Sequence, residues 1–172
     1  MVPGGSGLMN GSSSRAYGLT FEIDPPSSVR PGVPFTLPVV VAVRPVGAGS
    51  NDPAQQLVAR VSLQDETGAR TSTRLTGTLT SSVRSRAGNT ASGYACFRPL
   101  IIGSPGKYRL RIMLAVATYS GTTTMESVDS RVIQVHAEAA ASQCPTAAQV
   151  SRLQRLVPEN IDISSGDIVA WQ

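Results

Sequence analysis

The fold of this chain is decided by the stretch Lys107-Tyr108-Arg109-Leu110-Arg111-Ile112-Met113-Leu114, in which charged and apolar side chains alternate. A period of two residues is typical of a half-buried β-strand, because successive side chains point to opposite faces. The run Gly103-Ser104-Pro105-Gly106 before it predicts a turn. The stretch therefore predicts a strand over residues 107–117.

Strand patterns also occur on both sides of this stretch. The other predicted strands cover residues 17–23, 35–43, 57–63, 70–79, 93–102 and 128–137, with polar loops over 81–90 and 118–124. Val39 to Val43 belong to a run so rich in β-branched residues that it predicts a strand buried on both faces or in a sandwich core. About seven strands at this spacing predict a mainly β protein with an immunoglobulin-like β-sandwich.

One short C-terminal helix is predicted over residues 146–157. Thr146 is a candidate N-cap with Gln149 three residues later, which is a capping-box pattern, and Pro158 ends the helix. Its apolar stripe consists of Val150, Leu153, Leu156 and Val157. Such a stripe favours packing against the edge of the sandwich, and the alternative is that it binds a partner.

The composition predicts a disordered leader followed by one folded domain. Residues 1–16 are rich in Gly and Ser, which offer little apolar area for burial. Residues 17–172 form the predicted single domain, and 41% hydrophobic content in 172 residues is enough for a core. No apolar run approaches the roughly 20 residues of a membrane span, and the leader lacks the pattern of a signal peptide. We therefore expect an intracellular protein without a membrane segment.

The charge balance is basic. Lys and Arg total 15, Asp and Glu total 11, and the net charge is +4 with a pI near 9.6. A basic balance suits an anionic partner such as nucleic acid. The arginines form no run, however, so a scatter of ordinary surface cations is the alternative interpretation.

Motifs for catalysis are lacking in this sequence. His136 is the single histidine, and there is no Gly-x-Ser-x-Gly elbow, P-loop or dinucleotide fingerprint. Asp162 and Asp167 flank a polar tail without any paired geometry that the sequence reveals. We therefore predict a protein that is not an enzyme and has no metal, catalytic residue or small-molecule cofactor.

The two cysteines, Cys96 and Cys144, match no metal-binding spacing. Cys96 lies in an apolar strand pattern, which favours a buried free thiol. A disulfide between the two is the alternative if the chain is secreted.

Several short motifs occur in an order that resembles the fungal velvet domain. Leu75-Thr76-Gly77-Thr78-Leu79 is similar to a Leu-x-Gly-x-Leu strand, and Gly106-Lys107-Tyr108-Arg109-Leu110-Arg111 to a Gly-x-Tyr-Arg-Leu-x element. The helix over 146–157 and the Ile-x-Ile of residues 161–163 follow in the same order. Tyr17, Leu19, Pro25 and Arg30 fall close to the pattern of the family's first strand. The resemblance runs unevenly from residue 17 to 163.

The resemblance implies a sandwich similar to the Rel-homology fold and a regulator of transcription, development, sporulation and secondary metabolism. Velvet proteins form homodimers or heterodimers with one another, act in the nucleus and cytoplasm, and bind DNA through an N-terminal basic loop. That loop is absent here, so only Arg30 is carried over from it. Arg15 and Arg44 are added by position, and ordinary surface arginines are the alternative for each.

Three functions follow as hypotheses. A velvet-type regulator that binds DNA itself would have a basic patch containing Arg30 at one end of the sandwich, and Arg30→Ala would lower DNA affinity and flatten its salt dependence. A velvet-like dimerisation or adaptor subunit would instead have an apolar patch of several hundred Å². An unrelated immunoglobulin-like adhesion or carrier module would be extracellular, with a bridge between Cys96 and Cys144.

Overall fold

The computed structural model describes residues 17–45, 56–84, 93–118, 121–159 and 161–172. The leader over 1–16 lies outside these residues. The strands are β1 Tyr17–Ile23, β2 Ser28–Val29, β3 Val39–Pro45, β4 Gln56–Asp65, β5 Leu75–Gly77, β6 Thr80–Ser82, β7 Gly93–Phe97, β8 Leu100–Ile102, β9 Gly106–Thr118, β10 Gly121–Asp129 and β11 Ile133–Val135. The helices are α1 Ala147–Leu156 and α2 Ser165–Trp171, with a 3₁₀ turn at Val157–Glu159 between them.

Strand β9 organises the larger of the two main sheets. Its order is β2-β11-β9-β4-β6, and β10 pairs with the same edge of β9 as β11 does. The β9 and β4 strands are antiparallel, from Tyr108 opposite Asp65 to Ala117 opposite Gln56. The predicted strand over 107–117 is therefore confirmed, and its long ladder sets the register of the whole sheet.

A smaller sheet of order β1-β3-β7 packs on the large sheet. Between them lies the main core, where Val39, Val41 and Phe97 of the small sheet are fully buried with Leu110 and Ile112 of β9. The mainly β sandwich class predicted from the strand patterns is confirmed.

Helices cover the other face of the small sheet. Val40 and Cys96 point away from the main core and pack against Leu153 and Leu156 of α1 and Ile168 of α2. The run from Val39 to Val43 is fully buried, so of the two alternatives predicted, burial on both faces or in a sandwich core, the structure shows burial on both faces. The stripe of α1 faces this second core, which agrees with packing rather than with partner binding.

Other sequence predictions differ from the structure. The single strand predicted over 93–102 is two strands, because Pro99 has no N–H to continue the ladder and β8 pairs with β5 instead of β3. The loop predicted over 118–124 is wrong from Gly121 onward, since β10 begins there and pairs with β9. Threonine fits a sheet edge well, so polarity alone did not indicate a loop.

The strand predicted over 70–79 is shorter than expected. It consists of β5 and an isolated bridge between Gln64 and Arg70. Helix α2 was not predicted, although Ser164 and Asp167 form a capping box that precedes the apolar residues Ile168 and Val169. That pattern is present in the sequence.

Candidate nucleic-acid interface

The arginines singled out by the sequence are not brought together. Arg30 is exposed and follows β2, where its Nε donates a 2.6 Å hydrogen bond to the carbonyl of Ala139. The nearby Gly32 N–H donates to the carbonyl of Ile102 at 2.8 Å. Arg30 therefore lies at the end of the sandwich where β8 ends. Arg15 lies outside the described residues.

Arg44 lies towards the opposite end. It is exposed on β3 opposite Gly18, and its guanidinium lies 5.9 Å from the ring centre of Tyr94. The path from Val39 to Arg44 rises about 16 Å along an extended strand. Val39 at the start of β3 pairs with Phe97, and the chain runs from Phe97 to β8, beside which Arg30 lies. Arg30 is therefore nearer to the start of β3, whereas Arg44 lies near its end. The two arginines are therefore not neighbours on the surface.

A different set of cations does come together, on the side of the large sheet that faces away from the core. Tyr108, Leu110 and Ile112 of β9 are buried in the core. The side chains that alternate with them, Lys107, Arg109 and Arg111, therefore project from the opposite face.

Neighbouring strands add two more cations to this side. Arg60 of β4 is paired with Met113, which lies two residues after Arg111 on β9. Arg70 is bridged to Gln64, and Gln64 is paired with Arg109. Paired residues of antiparallel strands project from the same face. We call this surface the basic face and define it by Arg60, Arg70, Lys107, Arg109 and Arg111.

Arg109 is held in place by backbone carbonyls. Its Nε donates to the carbonyl of Glu66 and its Nη1 to the carbonyl of Ser130, both at 2.9 Å. Backbone carbonyls fix the orientation of the guanidinium but carry no net charge. Arg109 is therefore a positioned cation, and after Arg111 it also contributes to lowering the pKa of Asp129.

Arg111 is paired instead with an acid. Its Nε and Nη2 donate to the two carboxylate oxygens of Asp129 at 2.8 and 3.0 Å. This bidentate bond raises the pKa of Arg111 and holds the pKa of Asp129 below its usual value. The remaining cations, Arg60, Arg70 and Lys107, form no ion pair with the residues that the structure describes.

The basic face offers charge and hydroxyl or amide groups but no ring for base stacking. Between the cations on β4 and β9 lie Val58, Ser62, Gln64, Met113 and Ala115. No Phe, Tyr or Trp is among these described positions. The arrangement suits contacts to phosphates and lacks the aromatic platform that single-stranded nucleic acids use.

Sequence reasoning identified the alternation of Lys107, Arg109 and Arg111 but assigned no role to it. The signal was present, because a period of two places all three on one face. Arg60 and Arg70 could not be joined to them without the register of β4 against β9.

Asp162 and Asp167, for which the sequence reveals no paired geometry, belong to a second charged cluster in the structure. Arg98 lies just after β7, with its Nε 3.5 Å from Asp162 and its Nη1 3.2 Å from Asp167. Its guanidinium lies over the ring of Trp171, 5.4 Å from the ring centre. The backbone N–H and hydroxyl of Ser164, assisted by the charge of Arg98, lower the pKa of Asp167.

Both cysteines are free thiols, so the disulfide considered as an alternative is absent. Cys96 is buried between the small sheet and the helices, and burial raises the pKa of its thiol to about 12. Cys144 is exposed in the segment before α1.

Within the described ranges, no group of three or more His, Cys, Asp or Glu side chains could hold a metal ion. None of the described helices is long and apolar enough to cross a membrane.

Comparisons with known proteins give a limited picture. No family model and no curated protein matches the chain. Among solved structures, the chain is similar to the cohesin module of a family 33 glycoside hydrolase from Clostridium perfringens, with 10% sequence identity and a TM-score of 0.36. The alignment covers 75% of this chain and 99% of that module. A likeness this distant carries no argument about function.

Proposed function

We propose that this chain is a DNA-binding regulatory protein of the kind that the velvet resemblance implies, and that it binds the phosphate backbone of duplex DNA through the basic face. The observation that carries the proposal is the β9–β4 register. It places Lys107, Arg109 and Arg111 on the same side of the sheet as Arg60.

The spacing of these cations favours a polyanion. Alternate residues of a strand are about 7 Å apart, so the cations of β9 form a row with a regular repeat, in which Arg111 is already paired with Asp129. Each phosphate that such a row neutralises releases condensed counterions, and several contacts together give useful affinity. Because the face has no aromatic platform, the proposed ligand is a duplex backbone rather than a stacked single strand.

The surface of the described residues favours DNA over the adaptor alternative. A dimerisation or adaptor subunit requires an apolar patch of several hundred Å². Among the described residues, Val169 is the one large apolar residue that is exposed. We keep pairing with other velvet proteins, and action in the nucleus and cytoplasm, as parts of the proposal that follow from the resemblance alone.

The test is a titration of a short DNA duplex at two salt concentrations, with the protein alone and with a longer velvet-family partner. The double variant Arg60→Gln, Lys107→Gln should weaken binding and reduce the slope of log K against log salt by about 1 for each phosphate that is no longer neutralised. Arg30→Ala and Arg44→Ala are the matched controls, because each removes one exposed arginine outside the basic face.

The outcomes separate the hypotheses. Weaker binding by the double variant, with unchanged binding by both controls, supports the basic face. Weaker binding by Arg30→Ala alone would instead favour the site that the velvet resemblance implies. Binding that requires the partner would make the chain an adaptor, and no binding in either setting would contradict a DNA-binding role.

A further inference from the structure

The strands β6 and β7 separate along part of their length. At one end Arg84 and Tyr94 exchange backbone hydrogen bonds of 2.9 and 2.7 Å, and at the other the N–H of Thr78 donates to the carbonyl of Pro99 at 3.0 Å. Between these points the Cys96 N–H donates to the hydroxyl of Ser81 at 3.1 Å instead of to a backbone carbonyl. The ladder is therefore interrupted, and a cleft of about 540 Å³ opens there.

The walls of this cleft are polar. The cleft is lined by Thr80, Ser81, Ser82, Arg84 and Arg98, together with the acid Asp162. Arg84 is exposed and forms no ion pair with the described part of the chain. Two arginines, several hydroxyl-bearing residues and one acid thus line a space of the size that small-molecule sites have, about 300–1,000 Å³.

Arg98 is oriented and is partly exposed where it lines the cleft. Trp171 and Asp167 hold its guanidinium, and 28% of the side chain remains exposed. Its other acid, Asp162, lies 3.5 Å away with 81% of its side chain exposed. An exposed pair of this kind contributes little, so Asp162 can turn into solvent when a ligand anion takes its place.

We propose that this cleft binds a small phosphorylated or sulfated polyol. The oxyanion would lie between Arg84 and Arg98, since guanidinium groups match the geometry of phosphate and sulfate oxygens. The volume exceeds that of one oxyanion, and the hydroxyls of Thr80 and Ser82, which share a face of β6, would supply donors and acceptors for ligand hydroxyls. The site does not depend on the DNA-binding proposal.

Trp171 gives a direct readout, because it is the single tryptophan and lies against Arg98. We would titrate the full chain with inorganic phosphate, inorganic sulfate and glucose 6-phosphate while following tryptophan fluorescence, with sodium chloride at matched ionic strength as the reference. A saturable change is expected for all three ligands, at the lowest concentration for glucose 6-phosphate. Backbone amide shifts of Ser81 and Ser82 in NMR spectra should follow the same titration.

Arg84→Gln is the test variant because this exposed arginine forms no ion pair with the described residues. It should weaken binding about tenfold, the size expected for removal of one charge-assisted hydrogen bond. Arg131→Gln is the matched control, since Arg131 is an exposed arginine between β10 and β11, away from β6, and the affinity of this variant should be unchanged.

Several results would overturn the proposal. These are no change beyond the chloride reference, an equal fall in affinity in the two variants, or amide shifts that avoid Ser81 and Ser82. If glucose 6-phosphate binds no more tightly than inorganic phosphate, the cleft does not recognise the polyol part of the proposed ligand. Duplex DNA that displaces phosphate and binds Arg84→Gln more weakly would reassign the cleft to the DNA backbone.

Discussion

The guanidinium of Arg98 lies over the ring of Trp171, 5.4 Å from its centre, and so ties the last residue of α2 to the end of β7. The same guanidinium reaches Asp167 in the first turn of that helix. Ile168 adds apolar contact with the helix-covered face of the small sheet. One arginine therefore joins both ends of a short helix to the sandwich.

Replacing Arg98 should loosen this attachment. Arg98→Gln removes a cation–π contact and the pairing with Asp167, so we expect the free energy of unfolding to fall by about 1–2 kcal/mol. Urea denaturation followed by Trp171 fluorescence measures it. Arg74→Gln is the control, because Arg74 is exposed and forms no ion pair with the described residues. Equal decreases in the two variants would contradict the role of Arg98.

Gly77 should not tolerate a side chain. Its φ is +116°, and a Cβ there would lie 2.0 Å from the carbonyl oxygen of Pro99. Backbone must move to remove that clash, so Gly77→Ala should lower the free energy of unfolding by about 3 kcal/mol or more.

Gly103→Ala is the matched control for this variant, because a Cβ at Gly103 would meet nothing within 4 Å. Thermal unfolding of both variants measures the difference. A similar melting temperature for Gly77→Ala and Gly103→Ala would show that β5 and the segment before β8 do not approach so closely.

The pair of Arg111 and Asp129 should make stability depend on pH in acid. Because the pKa of Asp129 in the folded state lies below its ordinary value of 3.8, the pair stabilises the fold above that value. The stabilisation is lost as the pH falls through the lower, folded-state pKa. Asp129→Asn should therefore be less stable than the parent chain at neutral pH, and the difference should shrink in acid.

Urea titrations at neutral and acidic pH measure this effect. Asp65 and Asp167 also have lowered pKa values, so the parent chain itself loses stability over the same range. Arg111→Gln isolates the pair. Asp129→Asn could change the pH dependence of stability equally in the parent chain and in the Arg111→Gln variant. The ion pair of Arg111 and Asp129 would then not be the source of that pH dependence.

The two thiols should react at very different rates. Cys96 is buried and its pKa is raised to about 12, so it remains a protonated thiol at neutral pH and is shielded from reagents. Cys144 is exposed. Iodoacetamide should add one group to the native chain and a second only in denaturant, as intact mass spectrometry would measure. Cys144→Ser should then take up no group while folded, and rapid modification of that variant would mean that Cys96 is accessible.

Local patterns predicted local structure well. The alternation around Tyr108 predicted β9, the β-branched run of Val39 to Val43 predicted a strand buried on both faces, and Thr146 with Gln149 predicted the start of α1. Each of these signals acts within a few residues. Where the deciding interaction was distant, prediction failed, as for the strand broken at Pro99 and paired with β5.

For the candidate site, too, the local features could be predicted from the sequence and the distant ones could not. The row of Lys107, Arg109 and Arg111 could be predicted from a period of two. Arg30, carried over from the velvet resemblance, and Arg44, added by position, lie towards opposite ends of the sandwich. Side-chain direction along one strand is a local property. Distance between strands depends on how they pair, which no single stretch reveals.

The amino-acid sequence by itself determined which segments become strands or helices and which of their faces are apolar, because backbone preferences and periodicity act over a few residues. Only the tertiary structure decided which cations share a face, that Arg98 meets Asp167 and Trp171, and that β6 and β7 part to leave a cleft. These features depend on sheet register and on packing between segments far apart in the chain, where small differences in burial and hydrogen bonding choose one pairing over another.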